Sequence, residues 1–145
     1  MRNILASALL FAAACASTSQ TRPADIAQPE ISVRSAGPVY ISQSSTPLTI
    51  EVTVTNKANV PLAIKEVEVS SLGAEQYQIP PASRLYQNET VAPGETRTVS
   101  LSARAVANDT RSRVGNPLQV RTFVRFEANG KTFREVVIEQ FSPLS

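Results

Sequence analysis

The chain is 145 residues long, with a single cysteine, no histidine, no tryptophan and a net charge of +2. Without histidine, the Ser-His-Asp and Cys-His hydrolytic designs and His-based metal sites are excluded, and one cysteine excludes an internal disulfide. Arg and Lys alternate with Glu and form no basic run, which argues against nucleic acid as a partner.

Arg2 gives a short positive start, Ile4 to Ala14 form an uncharged apolar stretch, and small residues lead into Cys15, the layout of a secretory signal. The stretch is shorter than the roughly 20 apolar residues that a membrane-spanning helix needs. At Ala12-Ala13-Ala14-Cys15 the segment resembles the lipobox of bacterial lipoproteins. That resemblance implies cleavage before Cys15 and lipidation of Cys15 as the first mature residue. With alanine rather than aspartate at Ala16, it also implies delivery to the periplasmic face of the outer membrane. Ala12-x-Ala14 equally fits ordinary signal cleavage at the same bond, which would leave a secreted soluble domain. Cleavage there leaves 131 residues with 13 basic and 12 acidic side chains. That is one domain with room for one core.

Residues 15–29 follow as a flexible tether, since ASTSQTRPADIAQP holds two prolines and one larger aliphatic and buries too little apolar surface to offset ordering. Residues 30–145 read as strands: β-branched residues alternate with polar ones, and Pro, Gly or Asn punctuate them. EISVRS and PVYIS, separated by Ala36-Gly37-Pro38, suggest an edge strand broken into two pieces. LTIEVTVTN, residues 48–56, alternates without a fault, placing Leu48, Ile50, Val52 and Val54 on the buried face of an antiparallel strand. After the turn NKANVP, Leu62 and Ile64 are out of phase with Val67 and Val69, so a bulge is predicted near Lys65-Glu66.

Between 75 and 90 the pieces EQYQI and RLYQ flank Pro80-Pro81 and read as weak edge strands. Pro93-Gly94 suits the central positions of a type II turn. It feeds a strand with Val99, Leu101 and Ala103 inward, and NDTRSRVGNP, residues 108–117, is a polar loop.

The last two strands form a hairpin around Asn129-Gly130. Leu118, Val120, Val124 and Phe126 are even-numbered, as are Val136 and Ile138. Residues sharing a face across an antiparallel ladder have a constant index sum, so burying all six requires an odd loop. The spacing therefore predicts three loop residues with Gly130 in the left-handed position of a G1 bulge. On the opposite, outward face this register places Arg121, Phe123 and Arg125 beside Phe133, Glu135, Val137 and Glu139, a mixture of charges and aromatics that is the candidate interaction surface together with the 108–117 loop.

About seven short antiparallel strands argue for an all-β, two-sheet sandwich. The run TIEVTVTNKANVPLAIKEVEV followed by VAPGETRTVSL resembles the immunoglobulin-like accessory domains of exported bacterial proteins and, more loosely, the late-embryogenesis type 2 domain. That resemblance implies an immunoglobulin-like β-sandwich without the antibody cysteine pair and tryptophan.

No G-x-S-x-G, S-x-x-K, P-loop or G-x-G-x-x-G pattern occurs. Glu66 and Glu68 share a strand face, whereas glycosidase acids flank a cleft. No acidic cluster has calcium-loop spacing, and Asn88-Glu-Thr and Asn108-Asp-Thr are read as turn chemistry. The sequence thus points to a non-enzymatic, lipid-anchored domain without catalytic residue, cofactor or metal, acting through an envelope protein partner. Two alternatives are a cell-wall glycan or small-ligand module using an exposed aromatic such as Tyr77 or Tyr86, and a periplasmic chaperone or assembly subunit using an open sheet edge.

Overall fold

The computed structural model describes residues 21–41, 45–72, 77–107 and 117–144. Cys15 and most of the polar loop, 108–116, lie outside the described residues. The described residues form eight strands: β1 (Glu30–Ser35), β2 (Thr46–Thr55), β3 (Leu62–Ser71), β4 (Tyr77–Gln78), β5 (Ser83–Val91), β6 (Thr96–Ala107), β7 (Leu118–Ala128) and β8 (Lys131–Phe141). They pair antiparallel in two sheets, β1-β2-β6-β4 and β5-β3-β7-β8. Spatially this is the arrangement of a constant-type immunoglobulin sandwich with one added edge strand, β5.

The alternation in β2 does what the sequence requires of it. Leu48, Ile50, Val52 and Val54 are buried, and β6 meets them in register with Ala103, Leu101 and Val99 on the same inner face. Across the sandwich, β3 supplies Leu62, Ile64, Val67 and Val69, all fully buried. Its change of phase is a bulge: the register shifts between Ile64 and Glu66 against both β5 and β7. The extra residue lets two out-of-phase apolar pairs share one face. Between Ala92 and Glu95, the Glu95 N–H donates to the Ala92 carbonyl at 3.0 Å and Gly94 has φ 75°, the positive φ of the type II turn expected at Pro93-Gly94.

Four expectations are corrected. Residues 38–41 of PVYIS form no strand, and Ser42 lies outside the described residues; Val39 is nevertheless buried, and its carbonyl accepts a 2.8 Å hydrogen bond from the Leu144 N–H. RLYQ belongs to a full nine-residue strand, β5, although both β4 and β5 do lie at sheet edges. Residues 21–29, the distal part of the expected tether, pack on the domain. Ile26 is only 1% exposed, held in a turn by its N–H to the Pro23 carbonyl and by the Arg22 guanidinium on its own carbonyl. A single well-placed isoleucine anchors a segment whose average composition is polar.

The fourth correction concerns the last hairpin. The β7–β8 register runs unbroken from Leu118 opposite Phe141 to Ala128 opposite Lys131, leaving a two-residue loop. Asn129 and Gly130 both have positive φ, 50° and 72°, the requirement of a type I′ turn and not of a G1 bulge. Val136 and Ile138 therefore face outward, and Phe133, Val137 and Phe141 face the core side. Even parity collects two aliphatics of this strand, whereas both of its phenylalanines are odd-numbered. Burying Phe133 and Phe141 removes more apolar surface from water than burying Val136 and Ile138. Because a Cβ on Gly130 would meet no neighbour, Gly130→Ala isolates the conformational cost of its positive φ. A loss of about 1–2 kcal/mol is expected in urea denaturation, with an unchanged m-value.

Candidate interaction face

The two exposed faces differ in chemistry. On the outer face of β1-β2-β6 stand Thr53 and Thr55, whose hydroxyls lie 2.9 and 2.8 Å from those of Thr98 and Thr96, with Arg34 on Glu51 at 2.7 Å. Among the described residues, Pro47 and a half-buried Val106 at the end of β6 are the larger apolar side chains among these threonines, serines and ion pairs. Such a ladder satisfies itself.

The outer face of β5-β3-β7-β8 is built from cross-strand rows. One row runs Tyr86, Glu66, Arg125, Arg134 and the next Arg84, Glu68, Phe123, Val136. Ser70, Arg121 and Ile138 form a third. Within them Glu68 holds Arg84 at 2.7 Å and Glu66 holds Arg125 at 3.2 Å. Tyr86 hydrogen bonding, and then the Glu68 carboxylate, hold the Arg84 guanidinium above its ordinary pKa, so it stays cationic.

Phe123 sits at the centre. Arg134 stacks over its ring with Cζ 3.7 Å from the centroid, and Arg121 lies at 4.9 Å. Contacts of this kind contribute about 0.5–1 kcal/mol when exposed. Neither arginine has a carboxylate partner among the described residues, and Arg121 Nε and the neighbouring Ser70 Oγ are covered without a hydrogen-bond partner there. Beside the ring, Val136 is 49% and Ile138 54% exposed. The result is an apolar ridge flanked by unneutralised guanidiniums.

Of the six expected contact residues, Arg121, Phe123 and Arg125 occupy this outer face. Phe133, Glu135 and Val137 do not, because the two-residue turn puts them on the inner side. Phe133 is fully buried and stacks on Phe126 with centroids 5.3 Å apart, while Val137 is partly buried against the core. Glu135 meets the N-terminal segment, accepting from Arg22 Nε at 3.1 Å and Gln28 Nε2 at 3.5 Å. Sequence reasoning missed Arg134, Val136 and Ile138, although the Asn-Gly dipeptide was the signal that would have found them.

The tyrosines named for a glycan site separate: Tyr77 is buried, and Tyr86 is 64% exposed on the outer face of the second sheet. A shallow concavity of about 430 Å³ lies elsewhere, lined by Pro47, the cis-linked Pro80-Pro81 pair, Ser83, Ser102, Ala103 and Arg104. It has no aromatic wall.

No family model matches the sequence, and neither does any curated protein. Among solved structures, a Bordetella pertussis protein designated ApaA aligns at TM-score 0.54 and 18% identity, over 80% of this chain and 92% of that one. A structural-genomics target, SoR45, gives 0.51 at 7% identity over 80% and 85%. The sporulation control protein Spo0M of Bacillus subtilis gives 0.50 at 13% identity, over 83% of this chain and 51% of that one. At such identities the likeness is one of fold: this chain shares their β-sandwich architecture.

Proposed function

We infer that the chain is a non-catalytic interaction domain of the bacterial cell envelope, carried by a lipid on Cys15 at the periplasmic face of the outer membrane and acting by holding a protein partner there. One observation carries the binding part of this reading. One sheet face is a self-satisfied hydroxyl and ion-pair ladder, and the other presents Phe123 between Arg121 and Arg134 with Val136 and Ile138 exposed alongside. An apolar centre with arginine at its margin is the composition of protein interfaces. The Ala12-Ala13-Ala14-Cys15 sequence and the absence of histidine support the anchored, non-enzymatic part.

Phe123→Ala is expected to weaken capture of the partner in cells while the urea midpoint moves little, with Thr53→Ala on the opposite face as the matched control. Unchanged capture together with lost stability would show Phe123 to be packing only. A fatty-acid probe is expected to label the wild type and not Cys15→Ala. Absence of label on the wild type would leave an exported soluble domain. The small-ligand reading is the weaker one, since the 430 Å³ concavity lacks an aromatic wall.

A further inference from the structure

Building on the contact face just described, we propose that β8 is a docking edge that accepts an extended acidic–apolar segment of the partner as an additional antiparallel strand. In a two-residue hairpin, Ala128 and Lys131 exchange hydrogen bonds, and bonding then alternates along the ladder. Thr132, Arg134, Val136, Ile138 and Gln140 therefore aim their N–H and C=O groups away from β7. Among the described residues no backbone hydrogen bond reaches them from outside the ladder. These same residues turn their side chains to the outer face, so backbone recognition and side-chain recognition coincide on one strip.

The other edges are blunted in the ways natural sheets use. β1 has six residues and β4 two. β5 carries a register shift against β3, which β8 does not have against β7. β6, beyond the short reach of β4, is faced by β5, with Arg97 3.8 Å from Glu89. In contrast β8 runs eleven residues in unbroken register with no proline, glycine or bulge. β1 faces it across the sandwich, and Arg22 and Gln28 meet it through the inward Glu135 carboxylate, yet among the described residues neither gives its outward backbone groups a hydrogen bond.

Charge selects the occupant. Arg121 and Arg134 lack carboxylate partners among the described residues, and the ridge between them is Phe123, Val136 and Ile138. A second copy added through its own β8 would bring Arg134 again and, on the outer side of that strand, no acid, since Glu135 and Glu139 lie on its inner side. A strand alternating Glu or Asp with Val or Ile supplies both the carboxylates and the apolar cover on one face.

The test uses the mature chain and synthetic peptides about nine residues long, alternating Glu with Val, against a Lys–Val control. Backbone amide NMR is expected to show the Glu–Val peptide shifting and protecting Thr132, Arg134, Val136, Ile138 and Gln140, with affinity falling as salt rises. Val136→Pro removes one outward N–H without touching the β7 ladder and is expected to weaken binding by about tenfold or more. Arg134→Glu should exchange preference for the Lys–Val peptide, which keeps the test readable if the proline variant folds poorly. No shift along β8 at about 1 mM peptide, or binding indifferent to both variants, overturns the proposal. So does concentration-dependent dimerisation that Val136→Pro abolishes. Partner capture in cells that needs Phe123 but tolerates Val136→Pro would leave the contact face standing and remove the strand addition.

Discussion

Phe133→Ala is expected to lower the unfolding free energy by about 3–5 kcal/mol, the usual cost of removing a fully buried phenylalanine. The ring is 0% exposed and stacks on Phe126, directly opposite it in the β7–β8 ladder. Truncation loses the transfer free energy of the ring and opens a cavity under the hairpin that a type I′ turn and an unbroken register cannot close. Phe123→Ala, three rows along the ladder on the other face, lacks such a cavity. Its ring contacts guanidiniums that retain solvent, so about 1 kcal/mol is expected. Urea denaturation of the two variants side by side checks the assignment. Equal losses would mean that the two faces of β7–β8 are not as different as the register makes them.

Asn56→Ala is expected to cost about 2–5 kcal/mol, although it removes little apolar surface, because it orphans two buried groups and a third that is half-buried. The side chain is fully buried. Its Nδ2 donates to the Val60 carbonyl at 2.8 Å and to the Val91 carbonyl at 2.9 Å, and its Oδ1 accepts from the Ala58 N–H at 2.8 Å. Its backbone adds the Glu95 and Gly94 contacts, each 2.9 Å. One residue thus ties the β2–β3 turn to the end of β5 and to the turn before β6. Asn56→Asp keeps the acceptor for Ala58 but turns a carboxylate on two carbonyls, so at neutral pH it should do no better than alanine. Thermal unfolding of both variants measures this. A loss below about 1 kcal/mol for each would mean that water replaces the side chain at all three partners.

Much of the inner surface was legible because period-2 alternation is a direct record of which side of a strand is wet. Leu48 to Val54 and Val99 to Ala103 face inward as their spacing requires, and the phase change after Ile64 is the bulge it implied. The NKANVP turn was recognisable too, but not the work of Asn56. Its partners Val60 and Val91 are 4 and 35 residues away, and the second comes within reach only when the two sheets face each other.

The hairpin failed for a different reason. Parity can be argued from either set of apolar residues, and the choice between Val136 with Ile138 and Phe133 with Phe141 depends on what lies beneath. β8 is an edge strand, and the inner side of its middle is met by Arg22 and Gln28 on Glu135, from a segment whose composition read as tether. The candidate site inherited that error: three of its six residues were on the face the core claimed.

By itself the sequence determined the fold class, the inward residues of the central strands and the Pro-Gly turn, because alternation and local backbone preference are properties of neighbours along the chain. It also determined that histidine chemistry is absent. Only the tertiary structure decided which face of the last strand is covered, where the N-terminal segment lies and which arginines stand without a carboxylate. Those depend on residues far apart in sequence competing for one core and one edge, and burial free energy arbitrates among them only once the sheets are packed.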